Sequence, residues 1–296
     1  MKRRYRVPAG FLFILPALIH LLVFVVAPIL FALYLSFHKW DVLKPDKPFV
    51  GMANYKRVAA DPYFWNAMAN SAYYALVSVP LGMAAALAVA ILVNQKLRGV
   101  TFFRTIYYLP AISSGAAISM LWLWVYWPER GLLSWALGAL HLPGANIDWL
   151  NNQYAAMPAL ILMSIWTALG PRMILYLAGL QGIPQSLYEA AEVDGAGKWQ
   201  AFRQITLPLL MPTTLFVLVT SSIGAFQVFT PVYMMTKGGP LRATDVVGYH
   251  IYTEAWRQFR MGRASAQSYI LFLAILAVTV IQFKLVNRRM EDYSGN

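Results

Sequence analysis

The sequence predicts an all-α, polytopic membrane protein with six transmembrane helices. Hydrophobic residues make up 59% of the 296 residues and charged residues only 12%, whereas soluble domains carry about 25% charged residues. Six apolar stretches approach or exceed the length of about 20 residues that a helix needs to cross a hydrocarbon core. The chain has no cysteine, which excludes disulfide frameworks, thiolate metal sites and cysteine nucleophiles.

The six predicted spans follow one another along the whole chain. They cover about 11–37, 71–93, 105–127, 154–180, 207–229 and 266–283. The first span follows basic residues at 2–6, as in a secretory signal, but its apolar run is too long and no small-residue cleavage site follows it. Several spans contain proline, which membranes tolerate where neighbouring helices or waters satisfy the freed carbonyl groups. We therefore expect a helical bundle.

The distribution of lysine and arginine orients these spans. The segments on the side of the two termini and the loops on the opposite side carry nearly equal numbers of lysine and arginine residues. The segments on the side of the termini are shorter, so their basic residues are more densely spaced. Because basic residues concentrate on the cytoplasmic side, both termini and the loop at 181–204 are expected in the cytoplasm. The net charge of +12 then indicates contacts with anionic lipid or partner proteins rather than with nucleic acid.

Three parts make up the predicted domain organisation. Residues 1–65 contain the amino-terminal tail, the first span and the first outer loop. Residues 66–285 contain the other spans and the cytoplasmic 181–204 loop, and residues 286–296 form a cytoplasmic tail.

The polar loop between the fourth and fifth spans has the pattern of a short surface helix. Pro184 stops the preceding helix, and Ser186 and Glu189 have the spacing of a capping box, in which each side chain satisfies a backbone N–H group. A helix is therefore expected over 187–194.

Glycine is expected to end that helix. Gly195 and Gly197 follow it, and glycine adopts the left-handed conformation of a helix stop at little cost. A second short helix over 198–204 would lead into the next span. Such an element, with the small residues Ala190 and Ala191 on it, suits a groove in another protein, although an ordinary solvated connector has the same pattern.

The spacing of residues in this loop is long and specific. It runs Glu189-Ala190-Ala191, three residues, Gly195, nine residues, Ile205, one residue and Leu207-Pro208. Three other motifs accompany it, namely F-x-G-x-x-N-Y at 49–55, Gly-Gly-Pro at 238–240 and Gly-Arg-Ala-Ser-Ala at 262–266. Together they resemble the permease subunits of binding-protein-dependent ABC importers, whose EAA loop has this spacing.

Two features resemble the carbohydrate branch of that family. They are the Gly-Gly-Pro turn and the Leu-Ala-Gly-Leu-Gln run at 177–181 that leads into Ile183-Pro184. Within the branch the chain is similar to the "F-type" permeases for maltose, lactose and glycerol phosphate, and it lacks the longer tail of the "G-type" partner. The resemblance implies the type I importer fold, a place in the inner membrane of a bacterium, and import of a sugar or sugar-like solute.

The resemblance also implies the partners of the chain. They would be a homologous second permease, two cytoplasmic ABC ATPase subunits and an extracytoplasmic solute-binding protein. The EAA segment would be the coupling helix that seats in a cleft of the ATPase, through Ser186, Glu189, Ala190, Ala191, Asp194 and Gly195. The sequence contains no G-x-x-x-x-G-K-[ST] phosphate loop, so ATP hydrolysis is expected in a partner chain and this chain is not expected to be an enzyme. Neither a metal nor a cofactor is expected.

The substrate path is the least determined part of the prediction. Its candidate residues, placed partly by the resemblance, are Ser164, Thr167, Arg172, Ser221 and Gln227. Most other positions that line the sugar site in maltose-type relatives are small or apolar here, which fits a wide path of low affinity as well as it fits a sugar site. Arg172 has two interpretations. It can extend to the headgroups or bond a neighbouring helix, or it can meet an anionic substrate.

Two other functional classes make different demands on the sequence. A membrane enzyme would need paired acidic or histidine residues within the spans, and an ion-coupled secondary transporter would need intramembrane carboxylates and inverted repeats. Every Asp and Glu of this sequence falls in a predicted loop or tail. The sequence therefore favours a non-catalytic permease subunit.

Overall fold

The structure, a computed structural model, describes residues 9–95 and 99–294. The basic residues at 2–6 and the pair Lys96 and Arg98, which contribute to the predicted orientation, lie outside the described residues. Within the described residues, regular structure consists of helices and two isolated bridges. The predicted all-α class is confirmed.

Fourteen α-helices and four π-helical turns are found in the described residues. The α-helices are α1 Ala9–Leu21, α2 Ala27–Ser36, α3 Ala53–Ala59, α4 Pro62–Val93, α5 Val100–Ile112, α6 Gly115–Val125, α7 Leu132–Ala139, α8 Ala156–Gln181, α9 Gln185–Val193, α10 Lys198–Ala201, α11 Leu207–Leu209, α12 Met211–Phe226, α13 Val247–Tyr252 and α14 Met261–Ser294. The π-helical turns are Leu22–Val26, Phe202–Thr206, Val232–Thr236 and Thr253–Arg257.

By length and composition, the described residues contain four continuous helices able to cross a membrane. They are Phe11–Ser36, Pro62–Val93, Ala156–Gln181 and Met261–Val286. Two further helix pairs meet the same criteria together but are bent, and counting each pair as one span gives up to six. Because a lipid-exposed backbone must satisfy its own polar groups, helices are the expected form for these segments.

The third predicted span is not one continuous helix. Residues Phe102–Ile112 and Gly115–Val125 meet at 102°, so the predicted helix over 105–127 is wrong in this respect. Pro110 donates no backbone hydrogen bond, and Ser113 adopts an extended conformation with φ −81° and ψ 152°. The Ser113 hydroxyl donates to the Leu109 carbonyl oxygen at 3.0 Å. The serine thus satisfies one carbonyl at the break.

The fifth predicted span is also bent. Lys198–Leu209 and Met211–Phe226 meet at 63°, so the predicted span over about 207–229 is wrong near its start, where the chain bends before Met211. Pro208 lies just after the π-helical turn, where its ring would collide with the carbonyl group of the preceding helical turn in a regular α-helix. The π-helical turn Phe202–Thr206 immediately precedes this proline-containing segment.

The described chain divides into two compact units. The first comprises the described residues up to Phe64 together with Ile251–Phe272, and the second comprises Trp65–His250 and the residues from Leu273 onward.

Hydrogen bonds of the F-x-G-x-x-N-Y motif organise the first unit. The buried Asn54 side chain donates to the carbonyl oxygens of Ser36 at 2.8 Å and His38 at 2.9 Å. The neighbouring Tyr55 hydroxyl donates to the Ser36 hydroxyl at 2.8 Å. The first of these bonds satisfies a carbonyl group that α2 leaves unpaired at its end. The motif therefore closes the first helix onto the following loop.

The Gly-Arg-Ala-Ser-Ala motif holds the start of α14 within the same unit. Arg263 forms an ion pair with Asp61, and its Nε lies 3.7 Å from a Glu254 carboxylate oxygen. A Cβ atom at Gly262 would overlap the His38 carbonyl group. Glycine at this position lets α14 approach the backbone of the first loop, and the arginine fixes that approach through paired charges.

The core of the second unit is formed by α4, α8 and α11–α12. It contains the buried residues Ala86, Ala90, Val93, Met173, Tyr176, Leu177, Leu180, Leu210 and Val217. Small residues on α4 allow close helix packing, as in other membrane bundles. Two polar bonds add to it: the Tyr126 hydroxyl donates to the Ala159 carbonyl oxygen at 2.8 Å, and the Gln282 amide donates to the Ser222 hydroxyl at 2.8 Å.

Gly170 of α8 lies close to the backbone of α5, which provides a test of the packing. A Cβ atom there would lie 2.7 Å from the Tyr108 Cα atom, and backbone cannot move aside easily. We expect Gly170→Ala to lower the unfolding free energy by roughly 2 kcal/mol, as overpacking does, measured as thermal stability of the detergent-solubilised protein.

Gly138→Ala is the matched control. A Cβ atom at Gly138 would make only an ordinary contact of 3.8 Å with Ala145, and alanine favours the helix by up to about 1 kcal/mol. The control variant is expected to be as stable as the parent protein or more stable. Equal stability of the Gly170→Ala variant and the parent would contradict the described packing.

Candidate functional site

The EAA segment forms helix α9, which has no buried residue. The predicted coupling residues are distributed as follows: Ser186, Glu189, Ala190, Asp194 and Gly195 are exposed, and Ala191 is half-buried. Two apolar side chains on the helix are also open, with Val193 88% exposed and Leu187 41% exposed. An exposed surface that combines carboxylates, small residues and apolar side chains suits a protein partner better than water alone.

The predicted capping box at the start of α9 is wrong. The helix begins at Gln185, and Pro184, with φ −57° and ψ 129°, occupies the capping position without a side-chain hydrogen bond. Ser186 therefore lies inside the first turn, where its hydroxyl is not in the capping position. The fixed φ of proline starts the helix two residues earlier than the serine would.

The predicted glycine stop is confirmed at Gly195 but is wrong for Gly197, which has φ −70° and ψ 163° and precedes α10. Gly195 has a φ of +79°, and its N–H group donates to the Glu192 carbonyl oxygen at 3.1 Å. The next N–H group, that of Ala196, donates to the Ala191 carbonyl oxygen at 2.8 Å. This pair of bonds is the Schellman arrangement. It gives α9 a defined end and turns the chain into α10.

A side-chain hydrogen bond connects α9 to the helix that follows it. The Tyr188 hydroxyl lies 2.8 Å from the Thr206 hydroxyl, and Thr206 is buried within the π-helical turn that precedes α11. Because α11 leads directly into α12, a displacement of α9 has a direct path into the membrane helices. This path was not predicted from the sequence.

A cavity of about 340 Å³ lies among α4, α8 and α12. Its lining residues are Tyr74, Ser78, Ser164, Ala168, Pro171, Arg172, Leu175, Thr220, Ser221, Gly224 and Ala225. Its volume lies within the range of small-ligand sites, about 300–1,000 Å³. The cavity therefore has room for a small solute.

Hydroxyl groups supply most of the polar lining of this cavity. The Tyr74 hydroxyl donates to the Ser164 hydroxyl, which itself donates to the Leu160 carbonyl oxygen at 2.8 Å. The Thr220 hydroxyl donates to the Phe216 carbonyl oxygen at 2.7 Å. None of the described residues that line the cavity is acidic. The site thus offers hydrogen-bonding oxygens around one cation.

That cation is Arg172. Its Nη1 atom is buried and has no hydrogen-bond partner among the described residues. The guanidinium group lies against Gly82 of α4, where a Cβ atom would overlap it. The arginine head group is thus held between α4 and α8 at the cavity wall.

The structure brings together three of the five predicted path residues: Ser164, Arg172 and Ser221 line the cavity. Thr167 and Gln227 are not among its lining residues. The Thr167 hydroxyl donates to the Met163 carbonyl oxygen at 2.9 Å, and Gln227 is exposed at the end of α12.

The sequence prediction missed Tyr74, Ser78 and Thr220 as lining residues. The first two are four residues apart on α4 and therefore share one helix face. That spacing indicates a polar stripe on an otherwise apolar helix, whereas this segment is predicted only as an apolar span.

Comparison with known proteins settles the family. Residues 78–292 match the family model described as "binding-protein-dependent transport system inner membrane component". The chain belongs to this family. It is a multi-pass inner-membrane permease, and the predicted family and location are confirmed.

Relatives of the permease cover nearly its whole length. It is 36% identical over 284 residues to the probable ABC transporter permease protein YurN of Bacillus subtilis, covering 95% of this chain and 97% of that one. It is 34% identical over 291 residues to the trehalose/maltose transport system permease protein MalF of Thermococcus litoralis, covering 98% of each chain.

A solved structure has the same fold. It is a chain of a bacterial alginate ABC transporter in complex with an alginate pentasaccharide-bound periplasmic protein. The TM-score is 0.83 at 23% identity, covering 96% of this chain and 95% of that chain. The type I importer fold predicted from the sequence is thereby confirmed.

A matched pair of glycines tests the helix stop of the permease. A Cβ atom would meet nothing within 4 Å at Gly195 or at Gly197, but only Gly195 has a positive φ. Alanine in the left-handed region costs roughly 1 kcal/mol. We expect Gly195→Ala to speed amide hydrogen exchange of the 185–196 segment about fivefold, while Gly197→Ala leaves it unchanged. Equal exchange in both variants would show that the positive φ does not limit the opening of α9.

Proposed function

We propose that the permease is one of two homologous membrane subunits of an ABC importer for a sugar or sugar-like solute. Two cytoplasmic ATPase subunits and an extracytoplasmic solute-binding protein complete the assembly. In this arrangement both termini and α9 face the cytoplasm, and residues 66–285 form the transporter domain. The observation that supports it best is α9 itself, an open helix with the EAA spacing and a glycine stop.

Helix α9 couples the permease to the ATPase in this proposal. Glu189 would contact the ATPase, Ala190 and Ala191 would allow close approach, and Gly195 would set the turn. The exposed Val193 side chain adds apolar area of the kind that anchors protein interfaces. ATP-driven closure of the two ATPases would bring the coupling helices together, and the Tyr188–Thr206 bond at 2.8 Å would pass that movement toward α12.

The cavity among α4, α8 and α12 is the proposed solute path. Its hydroxyl groups can exchange hydrogen bonds with the hydroxyl groups of a sugar, and its small residues, such as Gly224, leave space. The similarity to a trehalose/maltose permease over 98% of the chain supports a carbohydrate cargo. ATP binding would turn the cavity outward to receive the solute, and hydrolysis would release it inward.

A secondary transporter or a membrane enzyme is less well supported. An ion-coupled carrier would bring a carboxylate to the solute path, whereas the described lining residues include none. The membership of the binding-protein-dependent family also favours an energy source in a partner chain. We therefore assign ATP hydrolysis to the partner and a non-catalytic role to the permease.

Neutralising Glu189 tests the proposed coupling. We expect Glu189→Gln to reduce copurification of the ATPase subunit and ATP-dependent uptake about tenfold, because a charge-assisted hydrogen bond contributes about 1.5–3 kcal/mol. The measurements are the ATPase-to-permease ratio in affinity-purified membranes and uptake by cells that express the complete importer.

Glu129→Gln is the control, since Glu129 is an exposed glutamate in the loop between α6 and α7. It removes the same charge on the opposite side of the membrane and is expected to preserve both quantities. Uptake that continues at the parental rate without any ATPase would overturn the proposed function.

A further inference from the structure

We infer that Arg172 is the recognition group for an acidic substituent, a carboxylate or a phosphate, on the solute that enters the cavity. The inference rests on the proposed function, because it takes the cavity among α4, α8 and α12 as the solute path. It adds the chemical class of the cargo, which family membership leaves open.

The first observation is a guanidinium nitrogen without a partner in a side chain that is only partly buried. The Nη1 atom of Arg172 is buried and makes no hydrogen bond among the described residues. An unpaired charge inside a membrane bundle is expensive, and such residues mark substrate or ion pathways. The described lining of the cavity contains no carboxylate that could neutralise it. The protein thus presents at the cavity wall an arginine N–H donor that no carboxylate of the described lining neutralises.

The second observation is that α4 has space for the guanidinium group. A Cβ atom at Gly82 would overlap Arg172 Nη1 and would lie 3.3 Å from its Cζ atom. The next nearest atom, Ile165 Cγ1, would be 3.8 Å away. The space left by the glycine is therefore filled by the arginine head group. An arginine that reached to the headgroups at the membrane surface would not need this space inside the bundle.

The third observation is the set of neutral hydroxyl groups beside the cation. Ser78, Ser164, Thr220 and Ser221 line the same cavity as Arg172. A planar guanidinium group pairs with a carboxylate or phosphate through two parallel hydrogen bonds, while hydroxyl groups can bind the hydroxyls of the attached sugar or polyol. Together they complement a solute that has one acidic group and several hydroxyl groups.

Uptake by cells that express the complete importer tests the inference. The probes are radiolabelled pairs that differ in the acidic group: glucuronate with glucose, galacturonate with galactose, and glycerol 3-phosphate with glycerol. We expect the parental importer to take up at least one acidic member in preference to its neutral counterpart. Preference for glucuronate or galacturonate would identify a carboxylate as the recognised group, and preference for glycerol 3-phosphate would identify a phosphate.

Two variants of Arg172 separate recognition from structure. Arg172→Gln is expected to reduce uptake of the preferred acid about 30-fold, as loss of a charge-assisted contact would, and to change uptake of the neutral counterpart by less than twofold. Arg172→Lys, which keeps the charge, should restore part of the acid uptake. Gly82→Ala, which displaces the guanidinium group but leaves its charge, should lower acid uptake selectively as well.

Two kinds of uptake result contradict the inference. Uptake of neutral members alone, or of no acidic member, would overturn the inference. So would an equal loss of acidic and neutral uptake in Arg172→Gln, which would assign the arginine a structural role. Binding-protein-stimulated ATP hydrolysis by the same assemblies is measured in parallel. If that activity is normal, the proposed importer function stands although the inference fails; if it is absent from the parental assembly, the proposed function fails.

Discussion

Hydrocarbon offers no hydrogen-bond partner to a peptide group, and this constraint determines the form of the permease. Its apolar segments are helices because a helix satisfies its own backbone. The chain departs from regular helix at the bend near Ser113, where the serine hydroxyl bonds the Leu109 carbonyl, and near Pro208, where a π-helical turn precedes the bend. At the first bend a side-chain hydrogen bond satisfies one of the freed carbonyl groups.

The same constraint separates the two parts of the proposed mechanism. Exposed polar groups lie on α9, which has no buried residue and is the proposed contact with the ATPase. Several hydroxyl groups within the bundle surround one cavity, and they bond neighbouring side chains or helix carbonyl groups. The Tyr188–Thr206 contact joins α9 to the helix series that reaches the cavity. Movement at one polar region can therefore be transmitted to the other.

The sequence predicted the helical class, the positions of the main spans and the glycine stop, because each depends on local composition. Apolar length identifies a span whatever its neighbours are, and Gly195 has a positive φ that glycine adopts readily. The bends were missed because the effect of a proline depends on the groups around it: Pro110 accompanies a sharp break, whereas Pro80 lies inside the continuous helix α4.

The cavity was predicted only in part for a similar reason. Ser164 and Ser221 were placed by their spacing from motifs, but Tyr74 lies 90 residues from Ser164 in the sequence and reaches it only through the packing of α4 against α8. The surroundings of Arg172 are also a tertiary property, since Gly82 and the arginine come from different helices. The capping box failed because Pro184 had already set the start of α9.

The most direct test of the proposed coupling uses the absence of cysteine from the permease. Thr220 is exposed in the cavity, so Thr220→Cys, combined with cysteine-free partner subunits, gives the complete importer a single thiol there. Its labelling by a membrane-impermeant maleimide from the outer side is measured with and without ATP trapped on a hydrolysis-deficient ATPase. Faster labelling in the ATP-trapped state is the expected result. A labelling rate that does not respond to ATP would contradict the proposed link between α9 and the cavity.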